Sequence, residues 1–178
     1  DSVVEAELAM DADGHFLAMR ARSTGDLGAW VTQMGPHIQT VNILKNLPGP
    51  YRTPLLRVEA RCVFTNTTPI APYRGAGRPE GVYIRERLID AAARETGRDP
   101  SELRRINVIA PDQMPYTAPS GQVYDSGEFG AILDDALERS DWDGFEARRQ
   151  ASAERGLLRG RGLSLYLEVT APAGKEMG

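Results

Sequence analysis

Residues 71–81 read Ala-Pro-Tyr-Arg-Gly-Ala-Gly-Arg-Pro-Glu-Gly, and the rest of the chain is organised around them. They follow a run rich in branched apolar residues, 55–65, and they precede an amphipathic pattern that begins near Pro79. Glycine is favoured where the backbone takes a positive φ or approaches a ligand closely. Pro79 suits the first position of a helix, and Glu80 complements the positive end of the helix dipole. The stretch therefore predicts a strand-to-helix turn that has unpaired backbone N–H groups and nearby guanidinium groups. Such a turn is suited to binding an anion.

The turn itself, residues 71–77, is called the elbow from here on. Turns of this composition are about as often purely structural as they are binding sites. Gly75, Gly77 and Gly81 do not complete the G-x-G-x-x-G spacing of dinucleotide-binding loops. The pattern alone therefore leaves open an anion-binding turn and a structural one.

Length and composition limit the other possibilities. A chain of 178 residues is long enough for one domain with its own core, and we predict a single domain over residues 1–178. The net charge of −4 argues against a nucleic-acid partner, and no apolar run has the length of a membrane span. Cys62 is the only cysteine, which excludes an internal disulfide and an iron–sulfur cluster held within this chain. His15 and His37 lack further ligands at a suitable spacing, so no metal site is predicted.

The distribution of apolar and turn residues predicts an α+β fold, in which a β-hairpin and additional strands pack against three or four helices. The hairpin is expected across Asp13-Gly14, because this pair favours a tight turn between two alternating segments. Apolar periodicity predicts the remaining elements. The expected strands are 55–65 and 162–170, and the expected helices are 37–47, 79–95, 100–107, one that follows residue 126, and 142–155.

Local signals indicate where the helices begin and which side of each faces solvent. Asp-Pro-Ser-Glu at 99–102 is close to a capping box, so a helix is expected to begin at residue 100. Ser126 and Asp141 are the predicted N-caps of the two later helices. Glu86 falls on the polar side of the helix over residues 79–95 and is expected to face solvent.

The elbow and its surroundings resemble a known signature. Pro-Tyr-Arg-Gly-Ala-Gly-Arg-Pro-Glu at 72–80 is similar to a motif in the large, molybdenum-binding subunits of the xanthine dehydrogenase, aldehyde oxidase and aerobic carbon monoxide dehydrogenase family. Further matching segments follow in the family's order and cover nearly the whole chain. They are Gly-Pro-His-Ile at 35–38, Asn-Leu-Pro-Gly-Pro-Tyr at 46–51, Val-Phe-Thr-Asn-Thr at 63–67, Asp-Pro-Ser-Glu-Leu-Arg-Arg-Ile-Asn at 99–107, Pro-Tyr-Thr at 115–117 and Tyr-Asp-Ser-Gly at 124–127.

The resemblance implies a cofactor, partners and a set of site residues. The cofactor would be molybdopterin, in the cytosine dinucleotide form usual in bacterial members. The partners would be the rest of the large subunit, iron–sulfur and FAD subunits, and a small-molecule substrate, in the cytoplasm. The cofactor-binding residues carried over from the motif are Tyr73, Arg74, Gly75, Ala76 and Gly77, with Ala76 also lining the substrate pocket. The fixed donors of Arg74 suit an oxo or phosphate acceptor.

Two departures from the family pattern limit which substrate and which catalytic residues the resemblance implies. Active carbon monoxide dehydrogenases carry a copper-binding cysteine directly after the loop arginine, where this chain has Gly75. The resemblance therefore implies hydroxylation of an aldehyde or an N-heterocycle, even if the nearest named relatives are carbon monoxide dehydrogenase large subunits. The family's Gly-Gln-Gly motifs and its C-terminal general-base glutamate have no match, so no catalytic residue is expected here. Glu168 is expected to have a surface or interdomain role.

The chain is expected to be a piece of a larger molybdopterin-binding subunit, because it begins at Asp1 and ends without a capping signal. Alone it is expected to be inactive and to hold no cofactor, since one elbow provides too few contacts. Two alternatives stay open at this point. The chain is a non-redox phosphate- or nucleotide-binding module, or it is a degenerate structural homologue.

Overall fold

A computed structural model describes residues 2–168 and has the predicted α+β architecture. The strands are β1 Ser2–Met10, β2 Phe16–Asp26, β3 Leu55–Val63, β4 Tyr116–Thr117 and β5 Val123–Tyr124. The helices are α1 Gly35–His37, α2 Ile43–Asn46, α3 Arg78–Thr96, α4 Pro100–Asn107, α5 Phe129–Arg139 and α6 Phe145–Ala153, with a single 3-10 turn at Pro111–Gln113. Among residues 2–168, no helix combines the length and the apolar character needed to cross a membrane.

The main sheet has three strands with β2 in the middle. β1 and β2 form the predicted antiparallel hairpin, which runs from Ser2 opposite Gly25 to Met10 opposite Phe16. β3 pairs in parallel with the other side of β2. Its parallel direction requires a long crossover from β2, and residues 27–54 provide it. The sheet packs with α3, α4 and α5 around the core.

The crossover contains a continuous helical segment with a wider turn in its middle. α1 leads into a π-helical turn at Ile38–Asn42, which leads into α2. The helix predicted over residues 37–47 is therefore confirmed, while the π turn was not foreseen. Such turns are rare and often occur at functional sites. In this fold the π turn lies against the elbow.

The N-cap at Asp99 is confirmed, because its carboxylate accepts hydrogen bonds from the N–H groups of Ser101 and Glu102. The caps predicted at Ser126 and Asp141 are wrong. Ser126 bonds the neighbouring Asp125, and α5 begins only at Phe129, whose ring is buried. Asp141 has a φ of +47°, whereas an N-cap needs extended backbone, and α6 begins after Gly144.

Three charged side chains are buried together in the middle of the molecule. Arg85 and Arg104 are fully buried, and Glu86 is 5% exposed. Glu86 accepts a hydrogen bond from the Nε of each arginine, at 2.9 Å in both cases. The prediction that Glu86 faces solvent is therefore wrong. The apolar periodicity of α3 cannot show that Arg104, on α4, provides a buried partner for Glu86. This group of three residues is called the ionic cluster below.

The ionic cluster also holds the C-terminal part of the described chain. Arg104 donates to the carbonyl of Leu163 at 2.9 Å, and Arg85 donates to the carbonyl of Leu165 at 2.7 Å. The strand predicted over 162–170 is not formed within residues 162–168, because these carbonyls bond arginines and not a neighbouring strand. Positions 169 and 170 lie outside the described residues.

Burial and charge act in opposite directions on the ionic cluster. Burial is the largest single influence on the pKa of Arg104 and lowers it, but Glu86, Tyr51 and Asp90 together raise it, so that the net pKa lies above the ordinary value for arginine. Tyr51 lies against the same carboxylate, and burial raises the pKa of its hydroxyl well above the usual range. Arg104 therefore stays charged in the core, and the shared Glu86 carboxylate is the acceptor that offsets the burial of both guanidinium groups.

Glu86→Ala tests this dependence. The substitution leaves two buried guanidinium groups without their shared carboxylate, so we expect the free energy of unfolding to fall by about 3–5 kcal/mol. Glu146→Ala is the control, since it removes the exposed partner of Arg149 on α6 and should change stability little. Urea unfolding of both variants measures the difference. Similar, small changes in both would contradict a central role for the ionic cluster.

Candidate functional site

The elbow connects β3 to α3 as a tight turn. The N–H of Ala76 bonds the carbonyl of Tyr73 at 2.8 Å, and the N–H of Arg78 bonds the carbonyl of Gly75 at 2.9 Å. Gly75 and Gly77 both have a φ of +84°, a conformation that side chains with a Cβ adopt at a cost. The glycines foreseen in the sequence are therefore required by the backbone path.

The inner side of the elbow packs tightly on the π turn. A Cβ at Gly77 would lie 2.5 Å from the carbonyl oxygen of Ile38 and 2.5 Å from the Cβ of Asn42. The side-chain amide of Asn42 donates to the carbonyl of Ala76 at 2.7 Å. Gly77 is thus a packing residue, and Asn42 is a contact that the sequence pattern did not indicate.

The outer side of the elbow is open. Tyr73 is 88% exposed and Arg74 is exposed as well. A Cβ at Gly75 would meet nothing closer than Pro79, at 3.6 Å, so this backbone is accessible to a ligand. Within residues 2–168, the N–H groups of Arg74 and Gly75 make no hydrogen bond, and Arg74 makes no ion pair. These donors fit an oxo or phosphate group, the kind of acceptor that molybdopterin presents.

Arg78 and Glu168 close one flank of the elbow. The Nε of Arg78 lies 2.8 Å from Oε1 of Glu168, in an ion pair whose members are 28% and 40% exposed. The other carboxylate oxygen of Glu168 would lie 3.8 Å from a Cβ at Gly75. The structure therefore places Glu168 beside the elbow, a position that the sequence analysis did not predict.

A cavity of about 920 Å³ adjoins the elbow, large enough for a small organic molecule. Tyr73 and Ala76 line it, and so do residues of β1, the π turn and α3. Its walls are mainly apolar, as in Ile38, Ile43 and Leu88, with the carboxylate of Glu80 among the few charges. Ala76, the predicted substrate-pocket residue, thus faces a cavity of suitable size.

Asp11, Asp13 and His15 bring three potential metal-binding atoms within 4.8 Å of one another, at the turn between β1 and β2. The turn itself accounts for much of this arrangement. Oδ1 of Asp11 accepts the N–H groups of Asp13 and His15, and these bonds lower the pKa of the Asp11 carboxyl, with the backbone bond from His15 acting most strongly. Asp13 and His15 are exposed and Asp11 is half-buried, and the group lies at the opposite end of the hairpin from Ser2, which lines the cavity beside the elbow.

Comparison with known proteins decides the family. The profile of the molybdopterin cofactor-binding domain matches residues 1–108, which include β1 to β3, the elbow, α3 and α4. This chain belongs to the molybdopterin cofactor-binding domain family. The match to a cofactor-binding family does not favour the alternatives of a non-redox nucleotide-binding module and a degenerate structural homologue.

Individual relatives agree with this assignment. The chain is 31% identical over 94% of its length to the gamma subunit of the 6-hydroxypseudooxynicotine dehydrogenase complex of Paenarthrobacter nicotinovorans, and 31% over 99% to the carbon monoxide dehydrogenase large chain of Hydrogenophaga pseudoflava. It covers 22% and 23% of those proteins. The crystal structure of quinoline 2-oxidoreductase from Pseudomonas putida 86 matches 87% of the chain, with a TM-score of 0.75 and 35% identity, over 20% of that protein. The chain thus spans about a fifth of the relatives that it matches.

Gly77→Ala tests the packing of the elbow. The new Cβ would overlap the π turn in addition to straining a positive φ. Gly97→Ala is the matched control: its φ is +70° but nothing lies within 4 Å of the added Cβ, so only backbone strain of about 1–2 kcal/mol is expected. We expect Gly77→Ala to lower the free energy of unfolding by clearly more than the control in urea titrations. Equal losses would contradict the close contact between elbow and π turn.

Proposed function

We propose that this chain forms part of the cofactor-binding subunit of a molybdenum hydroxylase that oxidises an aldehyde or an N-heterocycle. The observation that carries the proposal is the open outer side of the elbow, with Arg74 and the bare N–H of Gly75, inside the region that matches the cofactor-binding family. The redox chemistry would be supplied by the molybdenum of the bound cofactor. The residues of this chain would bind and orient that group.

The proposed contacts follow from the geometry of the elbow. Tyr73, Arg74 and Gly75 lie on its exposed side, where Arg74 would donate to an oxo or phosphate oxygen. Gly77 would act indirectly, by allowing the elbow to lie on the π turn. Ala76 would border both cofactor and substrate, because it lines the apolar cavity. No general base is proposed among the elbow residues, so the catalytic base would come from another part of the subunit.

Two observations support an aldehyde or N-heterocycle in preference to carbon monoxide. Gly75 supplies no thiol at the elbow. The thiol of Cys62 belongs to β3, which ends several residues before the elbow in the sequence. Desolvation raises the pKa of Cys62, which makes a metal-binding thiolate less favourable. The mainly apolar walls of the cavity suit an organic substrate.

The remaining features of the proposal concern the assembled enzyme. The cofactor would be the cytosine dinucleotide form of molybdopterin, and electrons would pass to iron–sulfur and FAD subunits in the cytoplasm. The elbow provides one edge of a large cofactor, so the isolated chain should bind it weakly and should be inactive. Contacts from the other four-fifths of the subunit would complete the site.

Metal and pterin analysis tests the proposal on the full-length protein, purified with its neighbouring subunits from a host that makes the cofactor. We expect molybdenum and pterin near one equivalent each per large subunit. A well-folded preparation without either would overturn the proposed function. A preparation that contains both, but oxidises neither aldehydes nor N-heterocycles, would overturn the substrate assignment alone.

Arg74→Ala separates a role in the chemistry from a structural one. Because Arg74 is exposed, we expect stability to change by no more than about 0.5 kcal/mol, while turnover falls roughly 10²-fold through loss of an oriented donor. Arg61→Ala, an exposed arginine on β3, is the matched control and should keep full turnover. Steady-state kinetics and thermal melting of the full enzyme measure both effects. Equal turnover in the two variants would contradict the role assigned to Arg74.

A further inference from the structure

Asn42 occupies an unusual position below the elbow. It is the last residue of the π turn, and it is 9% exposed. Its side chain spans from the helical segment to the elbow, where the amide nitrogen lies 2.7 Å from the carbonyl oxygen of Ala76. A backbone carbonyl only accepts, so the NH₂ end of the Asn42 amide must face it. The contact therefore requires a donor of this length at position 42.

The fit between Asn42 and the elbow depends on Gly77. The space that a Cβ at Gly77 would fill is already occupied by the Cβ of Asn42 and the carbonyl of Ile38. The missing side chain at Gly77 thus lets the elbow approach the π turn closely enough for the bond to Ala76. Two features of the sequence that are 35 positions apart, Asn42 and Gly77, form one contact.

Asn42 is itself held by a chain of buried hydrogen bonds. Its carbonyl accepts from the side-chain amide of Asn46 at 2.7 Å, and the carbonyl of Asn46 accepts from Arg85 at 2.8 Å. Arg85 belongs to the ionic cluster, so the carbonyl of Ala76 is connected through Asn42 and Asn46 to the buried charges of that cluster. Buried networks of satisfied hydrogen bonds hold their members in one arrangement.

We propose that Asn42 is a positioning residue of the cofactor site. By holding the carbonyl of Ala76, it keeps the N–H groups of Arg74 and Gly75 on the outer side of the elbow and the methyl group of Ala76 at the cavity. Asn42 touches neither cofactor nor substrate in this role, and its effect passes through the elbow backbone. This proposal rests on the proposed function, since it concerns how the same cofactor site is held in position.

Asn42→Asp is the most direct test, because it keeps the size of the side chain and replaces the donor by a carboxylate oxygen that repels the Ala76 carbonyl. Asn42→Ala removes the donor without adding charge and serves as the second variant if the aspartate disturbs folding. Thr40→Val is the matched control. Thr40 lies in the same π turn, and its hydroxyl bonds the carbonyl of Pro36 at 2.8 Å, away from the elbow.

Two readouts are measured on the full-length protein with its subunits. Hydrogen exchange of the peptide that covers residues 71–78 is followed in the cofactor-free protein, and we expect about tenfold faster exchange in both Asn42 variants than in Thr40→Val. Molybdopterin per folded subunit is measured after expression in a cofactor-competent host. We expect the Asn42 variants to retain less than about a fifth of the wild-type content, while Thr40→Val retains nearly all of it, at melting temperatures matched to the control.

The outcomes separate this proposal from the proposed function. If the Asn42 variants match Thr40→Val in exchange and in molybdopterin content, the positioning role is overturned and the proposed function stands. If exchange rises but molybdopterin content stays at the wild-type level, the elbow is ordered by Asn42 for stability only, and the positioning role is again overturned. If the wild-type protein contains no molybdopterin, the proposed function itself fails, independently of any variant.

Discussion

The carboxylate of Glu86, buried between two buried guanidinium groups, is the interaction on which the rest of this structure depends. Taking three charges out of water costs several kcal/mol for each, and the cost is offset only where every donor finds an acceptor. Here Arg85 and Arg104 also bond carbonyls of Asn46 and Leu165, and of Pro100 and Leu163. The ionic cluster therefore joins α2, α3, α4 and the C-terminal segment, and none of these elements can shift without leaving a buried charge unpaired.

The burial of Arg85 also explains a glycine that, from the sequence, only marks the end of a helix. Pro-Gly-Pro at 48–50 predicts the end of a helix, and the helical segment does end there. Yet a Cβ at Gly49 would overlap the guanidinium of Arg85, so this glycine also provides the space in which Arg85 is buried. This arrangement also holds the elbow in place, because the elbow is attached to the first turn of α3, the helix that carries Arg85 and Glu86. A loop on such a rigid support keeps its backbone in one arrangement.

Structural features that depend on neighbouring residues were predicted correctly from the sequence. Predictions were wrong where a contact with a residue distant in the sequence determines burial or strand formation. The hairpin at Asp13-Gly14, the cap at Asp99 and the α+β class depend on neighbours in the chain, and all three are confirmed. The burial of Glu86 depends on Arg104, 18 positions later, and the missing strand at 162–168 depends on arginines of α3 and α4. The binding role of the elbow residues stays a prediction from their motif. Asn42 and Glu168, which contact the elbow, carry no signal of their own because their partners are 34 and 90 positions away.

The two glycines of the elbow share one backbone conformation but differ in the space around them. Both have a φ of +84°, but a Cβ at Gly77 would lie 2.5 Å from the π turn, whereas a Cβ at Gly75 would make only an ordinary contact with Pro79 at 3.6 Å. A side chain at position 75 therefore costs backbone strain alone, about 1–2 kcal/mol, while one at position 77 also disrupts packing. Position 75 is where the resembled carbon monoxide dehydrogenases place a cysteine, and the geometry here has room for its Cβ. The elbow thus contains one position with room for a side chain, Gly75, and one position where the fold leaves no room, Gly77.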